Sequence, residues 1–418
     1  MLIHSAAQLI TLSGGPQRGA DLGRLAIIPD GALLTEGSAI QDIGPTPELL
    51  QKYPQAERLD ASGRVVMPGF VDPHTHAIWA GDRAAEFELK LAGKSYLEIL
   101  QAGGGILSTV RATRQADIEA LITETRTRLW QAFRHGTTTI EVKTGYGLEF
   151  ETELRMVEAL IQLEHEGPWE IVPTFLPAHA IAPEYKDDPQ GYVDLICREY
   201  LPAMLEWWEN NTFNRLLPFV DVFCETGAFD LEQSRQILTR AKSLGFPLKI
   251  HADEFDNLGG ASLAVSLGAA SADHLVTTSD EDIQALGRSD TVAVGLPGTP
   301  FGLAEKDYTP ARKILDANGI LALATDLNPG TTWCESLQMT IALACRYMKI
   351  TPAQAIAAAT INAAAALGLA EKIGSLEVGK QADLLILDIP DYRQLGYRYG
   401  INLVHTVIKK GKAYPVIS

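Results

Sequence analysis

The sequence predicts an α/β fold, a (β/α)₈ barrel with a small β-sandwich domain built from both chain ends. A short β-branched run followed by a long helical pattern recurs along the chain, the alternation expected of parallel strands joined by crossover helices, and eight candidate strands are found. At 418 residues the chain has room for a barrel of about 250 residues and a smaller unit beside it. Both ends read in another style, as short strands separated by turns.

Taken in order, residues 1–66 carry turn signals at Gly14, Gly15, Asp30, Gly31 and Gly37 and are assigned to the small β domain. Residues 67–370 are assigned to the barrel. Its strands are expected at Val65–Val71, Thr137–Val142, Ile171–Phe175, Val220–Phe223, Leu248–His251, Ala272–Leu275, Thr291–Leu296 and Leu321–Thr325. Helices are expected at Asp117–Arg134, Phe150–Glu166, Leu231–Leu244, Asn257–Leu267, Trp333–Tyr347 and Thr351–Leu367; alanine, the best helix former, fills the last. Residues 371–418, with LLILDI and LVHTVIKKGKAYPV, return to the style of the first segment and complete the small domain.

A formal charge of -17 without a basic stripe argues against nucleic acid or an anionic membrane surface as partner. The leading MLIHSAAQLITLSGG has no basic region and only short apolar runs, so neither a signal peptide nor a spanning helix is expected, and the protein is expected in the cytoplasm. Cys197, Cys224, Cys334 and Cys345 have no CxxC spacing, which argues against a disulfide framework or a cysteine-zinc site.

The strongest local signal is Asp72-Pro73-His74-Thr75-His76, directly after the apolar run VVMPGFV. Residues two apart on a strand share a face, so His74 and His76 can hold one metal at the barrel mouth. His251 ends the fifth expected strand and Asp326 the eighth. In a barrel all C-terminal strand ends converge on one rim, so these four make a site of three imidazoles and one carboxylate. The same rim receives His274 from the sixth strand and His179 from the third. His4, His135, His165 and His405 lie away from strand C-termini and read as structural. Glu254 is either a partner of substrate and water at the rim or a solvated loop acid; Asp253 reads as the latter.

The motifs PGFVDPHTH, HADE, DHL and TDLNPG resemble the amidohydrolase superfamily. Residues 80–114, HGTTTIEVKTGYGLE, FLPAHA, KIHADEF, SADHL and ATDLNPGT are similar, more narrowly, to the imidazolonepropionase family. That resemblance implies a (β/α)₈ barrel, one zinc or iron ion per subunit, and hydrolysis of 4-imidazolone-5-propanoate, a small anionic substrate, to N-formimidoyl-L-glutamate. It makes His74, His76, His251 and Asp326 metal ligands, and Arg83, Tyr146, His179, Glu254, Asn328, Gly330 and Thr331 substrate contacts. His274 matches a catalytic histidine, and Asp326 and Glu254 are the candidates for proton transfer. Arg83 offers a donor fork to the propanoate, its alternative being a pair with Glu86 or Glu88. The fourth strand ends without a lysine, so a single metal is expected, with Glu225 the residue that could support a second. A homodimer is the default assembly.

Overall fold

The computed structural model describes residues 1–93, 104–213 and 215–416. Part of the 80–114 motif, residues 94–103, therefore lies outside the described residues. Five strands come first: β1 (Leu2–Ile10), β2 (Ile27–Glu36), β3 (Ala39–Pro45), β4 (Arg58–Asp60) and β5 (Val65–Pro68). The next eight are β6 (Phe70–Asp72), β7 (Thr137–Lys143), β8 (Glu170–Ala178), β9 (Phe219–Cys224), β10 (Lys249–Ala252), β11 (Ser271–His274), β12 (Val292–Gly295) and β13 (Ile320–Leu323). The last are β14 (Leu384–Leu387), β15 (Val404–Lys409) and β16 (Lys412–Pro415).

Strands β6 to β13 pair in sequence order, all parallel. The two ends of this sheet meet just past the strands, where Asp326 N donates to His74 O at 3.1 Å and His76 N to Leu327 O at 2.9 Å. These bonds draw the first and last strand ends together over the barrel mouth.

The remaining strands make one mixed sheet in the order β16-β15-β14-β5-β1-β2-β3, with β4 on β1. Both chain ends thus share a sheet, with Leu385 of β14 opposite Met67 of β5.

The expected strand Val65–Val71 is two strands in different sheets. Gly69 separates them: its N–H donates to Asp383 O in the terminal sheet, while Phe70 N donates to Gly136 O in the barrel, each at 3.0 Å. A Cβ at Gly69 would stand 2.4 Å from Thr138 Oγ1, so only glycine fits this crossing. Ion pairs through the buried Lys409 also fasten the sheet to the barrel. Glu170, at the start of β8, meets Lys409 at 2.6 Å and Lys372 at 2.7 Å, and Lys409 meets Asp383 at 2.6 Å.

Helix Phe150–Glu166 has the expected bounds, and the helix expected from Asp117 begins at Ile118, with Asp117 as its cap, accepting from Ala120 N at 2.8 Å. The alanine-rich segment is two helices, Pro352–Ala358 and Ile361–Ala366. Thr360 breaks it, with φ -131° and ψ -92°, its hydroxyl donating back to Ile356 O at 2.7 Å. The helix expected from Trp333 begins at Leu337 under a Ser336 cap and ends in a π turn, Ala344–Met348. That expected from Asn257 begins at Gly260.

Candidate metal centre and substrate pocket

Six sequence-predicted residues converge at the C-terminal rim. His74 and His76 follow β6, His179 follows β8, His251 lies in β10, His274 ends β11, and Asp326 stands three residues past β13. Potential ligand atoms fall into three overlapping triads, His74/His251/His274, His76/His179/His251 and His74/His76/Asp326, each with all atoms within 4.8 Å of one another. His76 Nε2 lies 3.2 Å from His251 Nε2, and Asp326 Oδ1 lies 3.6 Å from His74 Nε2 and 3.8 Å from His76 Nε2.

The opposite ring nitrogens explain the orientation. His74 Nδ1 bonds Asp273 at 2.6 Å, His251 Nδ1 faces Asp221 at 3.0 Å, and His179 Nδ1 bonds Gly145 O at 3.0 Å. Such outer partners fix a tautomer and aim the other nitrogen at the centre. His74 Nε2 and His274 Nε2 are buried without a hydrogen-bond partner. Burial and the Lys143 charge push His74 well below the usual histidine range, burial and His179 do the same to His76, and burial and His251 to His274. Neutral imidazoles with orphaned nitrogens around one carboxylate fit a divalent cation.

Beneath the rings lies a charge network that sequence reading missed. Lys143, fully buried at the end of β7, meets Glu141 at 2.6 Å and Asp221 at 2.8 Å, with Asp273 at 3.8 Å. Burial alone would lower Lys143, but Asp221, Glu141 and Asp273 outweigh it and raise its pKa. Lys249 Nζ donates to Pro73 O at 2.7 Å, and Asp72 accepts from Thr325 N at 3.1 Å and Thr325 Oγ1 at 2.6 Å. The turn leading to His74 is therefore tied to β10 and to the end of β13. The available signal was charge inside β-branched runs: TTTIEVK, FVDVFC and LKIHAD each place a charged residue where a buried strand expects none.

Asp326 Oδ2 accepts from Thr299 Oγ1 at 2.5 Å, and burial pushes its carboxyl up to about 6. The backbones of Asp326 (φ 54°) and His274 (φ 78°) are left-handed, a cost that surrounding bonds must hold in place. Glu254 Oε2 stands 3.7 Å from His274 Nδ1, with only 10% of its side chain exposed. Burial and the charges of Asp326 and Glu225 raise it well above the carboxylate range. Glu254 is therefore a rim acid facing inward. Asp253 is fully buried with φ 57°, so it is not the solvated acid expected.

Tyr146 is buried beside the rings, its centroid 5.9 Å from His76 and 5.3 Å from His179. Gly145 lets His179 approach: a Cβ there would stand 2.8 Å from His179 Nδ1. The loop is shaped by Glu153, also missed, which accepts from Gly145 N, Gly147 N and Leu148 N at 2.8, 2.7 and 2.9 Å. Asn328 organises the facing loop, accepting from Gly330 N and Thr331 N at 2.8 Å each. Arg83 forms the Glu86 pair that was its alternative reading, at 2.9 Å through Nε. Its Nη1 nevertheless lies against the facing loop, since a Cβ on Gly330 would be 2.4 Å from it. Glu225 binds backbone instead, accepting from Phe255 N at 2.9 Å and Asp256 N at 3.1 Å.

Comparison with known proteins gives the lineage. Two models described as amidohydrolase family match residues 225–414 and 57–102. The chain is 52% identical to an imidazolonepropionase of Herpetosiphon aurantiacus, covering 98% of this chain and 96% of that one. It is 47% identical to one of Chloroflexus aggregans, covering 99% and 97%. Among solved structures, a zinc-bound adenosine deaminase of Xanthomonas campestris superposes with a TM-score of 0.75 at 18% identity, covering 99% of this chain and 92% of that one. Guanine deaminase of E. coli superposes with a TM-score of 0.74 at 17% identity, covering 99% of each. At such identities the solved structures establish the fold alone, whereas the near-full-length relatives establish the lineage. The chain belongs to the imidazolonepropionase family of the amidohydrolases.

Proposed function

We propose that the chain hydrolyses the cyclic amide of 4-imidazolone-5-propanoate to N-formimidoyl-L-glutamate, a step of histidine degradation. The observation that carries this reading is near-full-length identity of 52% to an imidazolonepropionase. The pocket chemistry supports it. Neutral imidazoles and a buried carboxylate sit beside an aromatic ring and a guanidinium, groups suited to a flat polar ring with an anionic tail.

His74, His76, His251 and Asp326 would hold one zinc or iron ion, which when bound supplies Lewis acidity to the ring carbonyl and acidifies water. Asp326 takes a proton from the attacking water as the carbon-oxygen bond forms at the amide carbon. As the ring carbon-nitrogen bond breaks, Asp326 or Glu254 returns a proton to the leaving nitrogen. His274 orients the water and stabilises the developing oxyanion. Tyr146 and His179 hold the ring, while Arg83, with the Asn328-Gly330-Thr331 loop, receives the substrate's polar groups.

No helix among the described residues is long and apolar enough to cross a membrane. A cytoplasmic homodimer, acting on a small anion rather than nucleic acid and split into domains at 1–66, 67–370 and 371–418, completes the proposal. A coupled assay tests the function: urocanase generates the imidazolone from urocanate, and its absorbance decay is followed after the metal-loaded chain is added. Chelator-sensitive decay to formimidoylglutamate without ammonia is expected. No decay, or release of ammonia, overturns the proposal.

A further inference from the structure

Arg128 lies on helix Ile118–Arg134, outside the barrel and absent from the reaction just described, yet it is only 4% exposed. Its guanidinium carbon lies 3.4 Å from the ring centroid of Trp79, and Trp333 is 5.5 Å away on the same cation. The two indoles meet edge to face at 5.0 Å. Arg128 Nη1 donates to Ala77 O at 3.1 Å and to Trp79 O at 2.9 Å, while Nη2 donates to Glu124 at 2.9 Å.

These contacts link the two loops that carry the proposed anion contacts. Ala77 and Trp79 begin the segment running to Arg83, continued by Trp79 Nε1 to Gly81 O at 3.0 Å and Ala80 N to Thr113 Oγ1 at 3.2 Å. Trp333 ends the loop that begins at Asn328, where Gly330 abuts Arg83 Nη1. The loops therefore touch twice, through Arg83 and Gly330 at the pocket and through Trp79 and Trp333 above Arg128. A planar cation can bond two carbonyls and stack on an indole together, which an ammonium cannot.

We propose that Arg128 is a positioning residue for substrate specificity, clamping the 77–83 and 328–333 loops so that Arg83 stands where a substrate carboxylate arrives. This rests on the reading of Arg83 as the carboxylate contact. Displacing a binding group by an ångström is costly, so loosening the clamp weakens recognition of the carboxylate more than that of the ring.

The test is calorimetric binding of imidazole-4-propanoate and 4-ethylimidazole, which differ by the carboxylate, to the metal-loaded chain. Arg128→Lys is expected to weaken the propanoate compound about tenfold and 4-ethylimidazole by less than about twofold. Equal weakening of both, or of neither, overturns the clamp. Should Arg128→Lys fail to fold, Trp333→Leu, at a ring half exposed to solvent, carries the same expectation and the same contrary outcomes. Arg83→Ala separates the two levels. If it keeps the preference for the carboxylate, the reading beneath the inference is overturned; if it abolishes the preference while Arg128→Lys keeps it, the clamp alone is overturned.

Discussion

His76 Nε2 stands 3.2 Å from His251 Nε2, although the two residues are 175 positions apart. Two imidazole lone pairs at that distance repel unless a proton or cation lies between them. With His251 Nδ1 turned to Asp221 at 3.0 Å, the two Nε2 atoms are placed to share one cation. His251→Ala should therefore lower metal affinity by more than the roughly 10- to 100-fold typical of losing an outer-sphere partner. Chelator competition on the purified chain measures this, and unchanged affinity contradicts it.

Asp326→Asn keeps the shape of the side chain and its Thr299 contact but loses the base. Turnover should fall by about two to four orders of magnitude, with the folded state intact by circular dichroism. Near-native turnover would move the base elsewhere.

Lys143→Met should leave Glu141 and Asp221 buried without their shared cation. Breaking a buried pair on one side costs about 3–5 kcal/mol, measurable by urea unfolding of the metal-free chain. A change under about 1 kcal/mol would mean that other groups hold the network.

Glu153→Gln retains one acceptor oxygen for three backbone donors. About 1.5–3 kcal/mol of stability is expected to be lost with the charged acceptor, together with lower kcat/KM because the Tyr146 loop loosens. Unchanged values in both measurements would remove Glu153 from the pocket's support.

Glu170 gives a pH-dependent prediction. Burial alone would raise its pKa, but Lys409 and Lys372 overcome that and hold it well below the usual carboxylate range. A depressed folded-state value contributes stability above the unfolded value, near about 4.3, that is lost as pH falls towards the folded value. Glu170→Gln should therefore be less stable than the parent at neutral pH, with the gap narrowing below about pH 4. Unfolding curves at both ends of that range check the sign, and a constant gap would contradict it.

The strand ends were legible because His74, His76, His251 and His274 each lie at or just past the end of a short expected strand, and barrel closure supplies the convergence without further information. The break at Gly69 was not legible, since a continuous apolar run does not reveal that its backbone changes partners between two sheets. The break at Thr360 was hidden by alanines that favour helix on both sides. Lys143, Asp221 and Asp273 were missed because each alone resembles a polar residue on a strand. Only their placement between strands shows them compensating one another and orienting His74 and His251. Arg83 shows its alternative reading, the pair with Glu86, while its Nη1 rests against Gly330.

Reaction in water enriched in heavy oxygen, with the product analysed by mass spectrometry, tests the central claim most directly: water attacks the ring amide carbon at the His74, His76, His251 and Asp326 centre. The account predicts one heavy oxygen in the α-carboxylate of N-formimidoylglutamate, with formation of that product abolished when the metal is removed. Heavy oxygen on a formyl group, or the same product formed at undiminished rate without metal, would contradict it.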